Sequence, residues 1–221
     1  MAKAGYLIGI DEVGRGCLAG PIAVTALALP LKFKVESSKS KVPLRDSKKL
    51  TARQREKWAE YVRNHPKIIY ETAYVYPKAI ERINISQAAN LAATRAVARL
   101  LTNDIRLTTK AKRLTTNDIR PTTGDIKILL DGGLFVSPLL VVSRKLSVRT
   151  VVRGDEKFNC IKLASIVAKV SRDRAMRRLH RKFPVYGLDE HKGYGTEQHI
   201  LAIKKHGPSS IHRLTFISKF V

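Results

Sequence analysis

Acidic residues are scarce in this chain. Only 18 Asp and Glu stand against 42 Lys and Arg in 221 residues, a formal net charge of +24. Such a field draws polyanions and speeds association with them. Nucleic acid is the first candidate and an anionic membrane surface the second. Long apolar runs are also missing: none approaches the ~18 residues of a spanning helix. The start, Met1 to Tyr6, has no signal-like apolar core. The expectation is a cytoplasmic protein without a membrane partner. Cysteine is nearly absent. Cys17 and Cys160 stand far apart with no C-x-x-C, which argues against a disulfide framework or a zinc site.

What is present suits one domain spanning residues 1–221. A chain of this length can bury a sizeable core without cross-links, and its hydrophobic content of 44% is ordinary. Basicity alone does not separate an enzyme from a non-catalytic nucleic-acid-binding protein, so motifs must decide.

Tyr6 to Ile10 reads as a buried strand, and Ile22 to Leu29 as a second. Residues 32–41 read as a loop. Thr51 with Gln54 forms a candidate capping box that opens a helix. Ile68 to Val75 reads as a strand, and Ser86 as the cap of a helix over Gln87 to Leu101. Thr102–Thr109 recurs at Thr116–Thr123, an offset of 14 residues. Two copies are too few for a solenoid, so 102–123 reads as a duplicated surface loop. Ile126 to Asp131 is a strand ending on an acid, and Leu146 to Val152 is another strand. From about Ile161 to Phe183 the pattern is helical. Its apolar positions change face, which predicts either different neighbours for its two halves or a bend near Ser171. A short helix over Gly195 to His206 follows. The sum is α/β with a helical C-terminal portion.

In so basic a chain, acids at strand ends stand out. Asp11 and Glu12 follow one strand, Asp131 ends another, and Asp155 follows a third. Gathered together, they would suit Mg²⁺ or Mn²⁺, which prefer hard oxygen ligands. Two such ions about 3.5–4 Å apart could activate water and stabilise a leaving oxygen. Neighbours on a flat strand face opposite ways. Asp11 and Glu12 are therefore expected to share a site only if the backbone turns, with Gly9, Gly14 and Gly16 supplying the freedom. Ser165, Lys169 and Arg172 fall on one helix face. With Lys48 and Lys49, Ser165 and Lys169 are candidates for phosphate contact. His180, His191, His206 and His212 lack metal-ligand spacing and read as surface or phosphate-proximal.

Six blocks in order resemble the ribonuclease HII family. They are Gly9-Ile10-Asp11-Glu12-Val13-Gly14-Arg15-Gly16, Asp46-Ser47-Lys48-Lys49-Leu50, Leu130-Asp131-Gly132, Gly154-Asp155-Glu156-Lys157 with Ala164 to Asp173, His191-Lys192-Gly193-Tyr194-Gly195-Thr196, and His206-Gly207-Pro208-Ser209. The resemblance covers nearly the whole chain. It implies a ribonuclease H-like fold, a five-stranded mixed sheet flanked by helices. It implies a metal set of Asp11, Glu12, Asp131 and Asp155. For the fourth acid, Asp173 is the rival, but an ion pair with Lys169 one turn away is its simpler use. Gly14-Arg15-Gly16 would present backbone groups to a ribose, whose 2′-hydroxyl marks RNA, and Tyr194 would pack on the neighbouring sugar. The implied activity is cleavage of the RNA strand of RNA–DNA hybrids and 5′ to single ribonucleotides in duplex DNA. The implied products carry 5′-phosphate and 3′-hydroxyl ends, as in ribonucleotide excision repair, and the enzyme is expected to be a monomer.

Overall fold

The computed structural model describes residues 5–36, 42–111, 126–143 and 146–220. A five-stranded sheet runs in the order β3-β2-β1-β4-β5. β1 (Tyr6–Val13) pairs antiparallel with β2 (Ile22–Pro30), which pairs antiparallel with β3 (Ile69–Val75). On the other side β1 runs parallel to β4 (Ile126–Asp131), and β4 parallel to β5 (Ser147–Val151). β2 is buried along all but its last residue. That follows from a central strand covered on both faces.

Alternation along β1 assigns the faces. Ile8 and Ile10 join a core with Ala88, Ala92 and Ala96 of α2 (Pro77–Ala111). Small residues on that helix let it lie close to the sheet. The opposite face holds Leu27, Leu129 and Val151 against Leu163 and Val167 of α5 (Asn159–Lys182), with Trp58 of α1 (Ala52–Asn64). The Thr51–Gln54 capping box is present at the start of α1. Two short helices, α3 (Pro138–Ser143) and α4 (Gly154–Lys157), flank β5. A third core under the C-terminal portion joins Leu18 and Met176 to Tyr186 and Ile203. It belongs to α6 (Leu188–His191), α7 (Glu197–His206) and α8 (Leu214–Ile217).

Several expectations are corrected. α2 begins at Pro77, and the chain breaks helical geometry at Asn84 (φ 63°, ψ 168°), not at Ser86. The Asn84 side chain caps the second segment, accepting from Gln87 N at 3.0 Å. Asn tolerates the left-handed region because its short amide bonds locally. α2 then continues through residues 102–111, where the repeat pattern predicts a loop. Once nucleated, a helix gains a hydrogen bond per added residue, so Thr102 and Asn103 extend it despite weak propensity. Residues 112–125, and with them the second copy of the repeat, lie outside the described residues. The change of face along α5, by contrast, is met as expected by different neighbours for its two halves: Leu163 and Val167 meet the sheet, whereas Met176 joins the C-terminal core.

His191 and His212, expected at the surface, are buried beside a third histidine, His199. All three lie beneath the loop that carries Tyr194. Ser209 N donates to His212 Nδ1 at 3.0 Å, so the His212 proton sits on Nε2 and faces His199 Nε2 at 3.3 Å. His199 then donates from Nδ1 to Tyr194 O at 2.9 Å. His191 accepts from Gly193 N and donates to Tyr186 O. Every ring has one donor task and one acceptor task, so all three are neutral. Burial lowers all three pKa values, that of His199 from 6.5 to about 4. A histidine held below its unfolded value adds no penalty above that value and costs stability as pH falls beneath it. The melting temperature should therefore fall between about pH 6.5 and pH 4. Melts that are flat across this window would contradict the neutral relay.

Candidate active site

The parallel pairing of β1 with β4 ends at Ile10–Leu130. Beyond it β1 continues to Val13, paired with β2 alone. One cleft, of about 340 Å³, opens around this uncovered edge and is bordered by Asp11, Glu12, Asp131 and Asp155. No turn separates Asp11 from Glu12, contrary to expectation. Asp11 leaves the face that Gly9 turns to α5, and Glu12 leaves the face of Ile8 and Ile10. Both border the cleft because it wraps the strand edge rather than one face.

Asp131 stands at the end of β4 and accepts from Gly154 N at 2.6 Å. Arg153, in the left-handed region at φ 54°, turns the chain after β5. That turn starts α4 and brings Asp155 to the cleft. Asp173 lies further along α5 and does not border the cleft. Its charge instead raises the pKa of Lys169, against the larger lowering by burial.

Electrostatics mark the cluster. Burial lifts the Asp11 carboxyl well above its usual range, and the charges of Glu12 and Asp131 add to this. Burial and then Asp131 raise Asp155, while Lys48, its Nζ 3.8 Å away, opposes the rise. Burial raises Glu12, and Arg15, at 3.1 Å, partly offsets it. Carboxylates that repel one another in this way favour a cation among them. Among the described residues, no three His, Cys, Asp or Glu side chains stand close enough together to hold a metal ion as they are placed. The donor set nevertheless fits a hard divalent ion: oxygen ligands only, on an open cleft with room for water. Asp11, Glu12, Asp131 and Asp155 are the residues that would hold it.

The remaining candidates divide. Gly14, Arg15, Gly16, Lys48, Ser165, Lys169 and Tyr194 all border the same cleft, whereas Lys49 is exposed and stands off it. Arg172 is not on a phosphate-facing surface. It is buried and bonded to main-chain carbonyls. Ser47 is an addition. It is buried in the cleft wall, its hydroxyl 2.9 Å from that of Ser165. Its place inside Asp46-Ser47-Lys48 was the available signal. Tyr194 is 40% exposed. Burial of its hydroxyl raises the pKa, so the group stays protonated at neutral pH.

A sheet of this order, with acids at the ends of its central strands, is a ribonuclease H-like fold. The fold hosts many activities, and the acids bordering its cleft suit the class of metal-dependent nucleases. The profile described as Ribonuclease HII matches residues 8–219. The chain is 39% identical over 213 residues to Ribonuclease HII of Nitratidesulfovibrio vulgaris, covering 94% of this chain and 84% of the relative. It is 37% identical over 217 residues to that of Caldicellulosiruptor bescii, covering 98% and 88%. The RNase HII in a PCNA:RNase HII complex from Archaeoglobus fulgidus superposes with a TM-score of 0.65 at 26% identity, covering 96% and 94% of the two chains. Bst-RNase HIII solved with Mn²⁺ shares the fold, with a TM-score of 0.65 at 19% identity, covering 100% of this chain and 70% of that one. The chain belongs to the ribonuclease HII family.

Proposed function

We propose that this protein cleaves the RNA strand of RNA–DNA hybrids and also cuts 5′ to single ribonucleotides in duplex DNA, leaving 5′-phosphate and 3′-hydroxyl ends. The observation that carries the reading is the gathering of Asp11, Glu12, Asp131 and Asp155 in one cleft with the Gly14–Gly16 loop and Tyr194. Two divalent ions, Mg²⁺ or Mn²⁺, held by those acids would activate water and stabilise the leaving oxygen when bound.

The chain's own residues do the selecting. Lys48 and Lys169 border the cleft as partners for the scissile strand's phosphates. Gly16 leaves open space where a Cβ would sit, so a sugar can approach the main chain. The Tyr194 hydroxyl keeps its proton and can donate toward the ribose hydroxyl, while its ring offers a face to the adjoining sugar.

The test is a duplex holding one ribonucleotide, incubated with Mn²⁺ or with chelator, followed by end-mapping. Metal-dependent cutting on the 5′ side supports the reading. Binding without cleavage under any metal would favour a non-catalytic basic binder instead. Tyr194→Phe should weaken preference for the single-ribonucleotide duplex by about tenfold, the scale of one lost hydrogen bond to the substrate. An unchanged preference in both Tyr194→Phe and Tyr194→Ala would remove the tyrosine from recognition.

A further inference from the structure

Two buried cations stand behind the cleft. Arg172 is 1% exposed and Arg213 is 0% exposed. Among the described residues neither meets a carboxylate within ion-pair distance. Burying a charge without a counter-ion is costly unless its hydrogen bonds are met. Here main-chain carbonyls meet them. Arg213 donates to Arg15 O at 2.8 Å, to Gly14 O at 2.8 Å and to Gly20 O at 3.0 Å. Arg172 donates to Pro21 O at 2.9 Å, to Ala19 O at 3.1 Å and to Lys192 O at 2.9 Å.

The partners are not scattered. They lie on two loops distant in sequence, 14–21 and the turn just before Tyr194. A planar fork with donors fixed on three nitrogens can reach carbonyls set this far apart. A lysine ammonium also has three donors, but all on one nitrogen, so it cannot span carbonyls spread around a planar fork. We propose that Arg172 and Arg213 are positioning residues for ribose recognition, locking the Gly14–Gly16 loop and Tyr194 into one frame. The inference rests on the reading of that loop and tyrosine given under the proposed function.

Peptide geometry supplies the link. In a trans peptide the N–H points opposite to the C=O. Arg213 draws the carbonyls of Gly14 and Arg15 inward, so the N–H groups of Arg15 and Gly16 point away from it, on the side of the loop that borders the cleft. Those two amides are donors for a sugar or phosphate oxygen. Arg172 spans both loops. A Cβ on Gly14 would lie 2.2 Å from its Nε, so the loop rests directly on this side chain. Its Cζ lies 5.8 Å from the centroid of the Tyr194 ring. Leu18 N, bonded to Gly193 O at 2.8 Å, joins the same two loops through the backbone.

The test uses Arg172→Lys and Arg213→Lys, which keep the charge and lose the fork. Each is assayed below its melting temperature on a duplex with one ribonucleotide and on a long RNA–DNA hybrid. We expect kcat/KM for the single ribonucleotide to fall about 10- to 100-fold more than for the hybrid, as expected for a displaced recognition group. Methylguanidinium added to Arg213→Gly should restore part of the ratio. A lower melting temperature with an unchanged ratio would make both arginines structural only and overturn the proposal. If the variants do not fold, the arginine Nε–H resonances of the wild type are followed in chelator. A shift with the single-ribonucleotide duplex and not with all-DNA duplex supports the proposal. Equal responses overturn it. A wild type that makes no ribonucleotide-specific cut would instead sink the functional reading on which it rests.

Discussion

Asp11→Asn should lower cleavage by about 10²–10⁴-fold, the range for losing one positioned ionisable group in chemistry. It should also raise the melting temperature in chelator. The two effects share one cause. Asp11 is buried, and Glu12 and Asp131 repel its charge, so its carboxyl titrates well above its usual 3.8. A raised acid contributes stability that is full below the unfolded value and is lost as pH rises through the folded one. At neutral pH burying this carboxyl therefore opposes folding. Asparagine keeps the shape and the acceptor that Glu12 N uses at 2.8 Å, but removes the charge. Steady-state cleavage in Mn²⁺ and melts in chelator check both halves. Retained activity would dismiss the acid cluster as the metal site. A lower melting temperature would dismiss the repulsion argument.

Gly9→Ala should be strongly destabilising, by about 3 kcal/mol. A Cβ there would sit 2.3 Å from Cys160 C and 2.3 Å from Ile161 N. Both are backbone atoms of α5 and cannot rotate away. For a chain of this size the melting temperature should fall by roughly 6–12 °C. Cleavage should fall as well, because α5 carries Ser165 and Lys169 to the cleft beside Asp11. Gly16→Ala makes the contrast. Nothing lies within 4 Å of its added methyl, so stability should hold while single-ribonucleotide cleavage drops. Thermal melts of the pair, run beside cleavage assays, decide the matter. Equal melting temperatures for Gly9→Ala and wild type would show that α5 can yield at no cost.

Local order is legible in the amino-acid sequence alone. The β4 strand ending on Asp131, the capping box at Thr51 and the buried β2 all follow from short-range periodicity and turn chemistry. The ordered motifs point to the sheet, and the scarcity of acids makes Asp11, Glu12, Asp131 and Asp155 conspicuous. Asn84 is hidden for a physical reason. A left-handed asparagine inside a helical stretch leaves no periodic trace, and Asn and Ser cap about equally well, so nothing local favours Asn84 over Ser86.

What the sequence by itself determined was which groups are chemically available, and that they sit near the ends of strands or just beyond them. Which of them face one another was decided only in three dimensions. Gly9 reads as a hinge in sequence, yet it is a contact point for a helix 150 residues away. Asp155 reaches the cleft because Arg153 turns left-handed after β5. Asp173 stays off it, since eight residues of helix beyond Ser165 carry it about 12 Å along the axis. Nothing local marks Arg172 or Arg213 as buried, because arginine rarely is. Their burial depends on carbonyls offered by loops up to 199 residues distant. Such pairings are set by packing, and no local pattern records them.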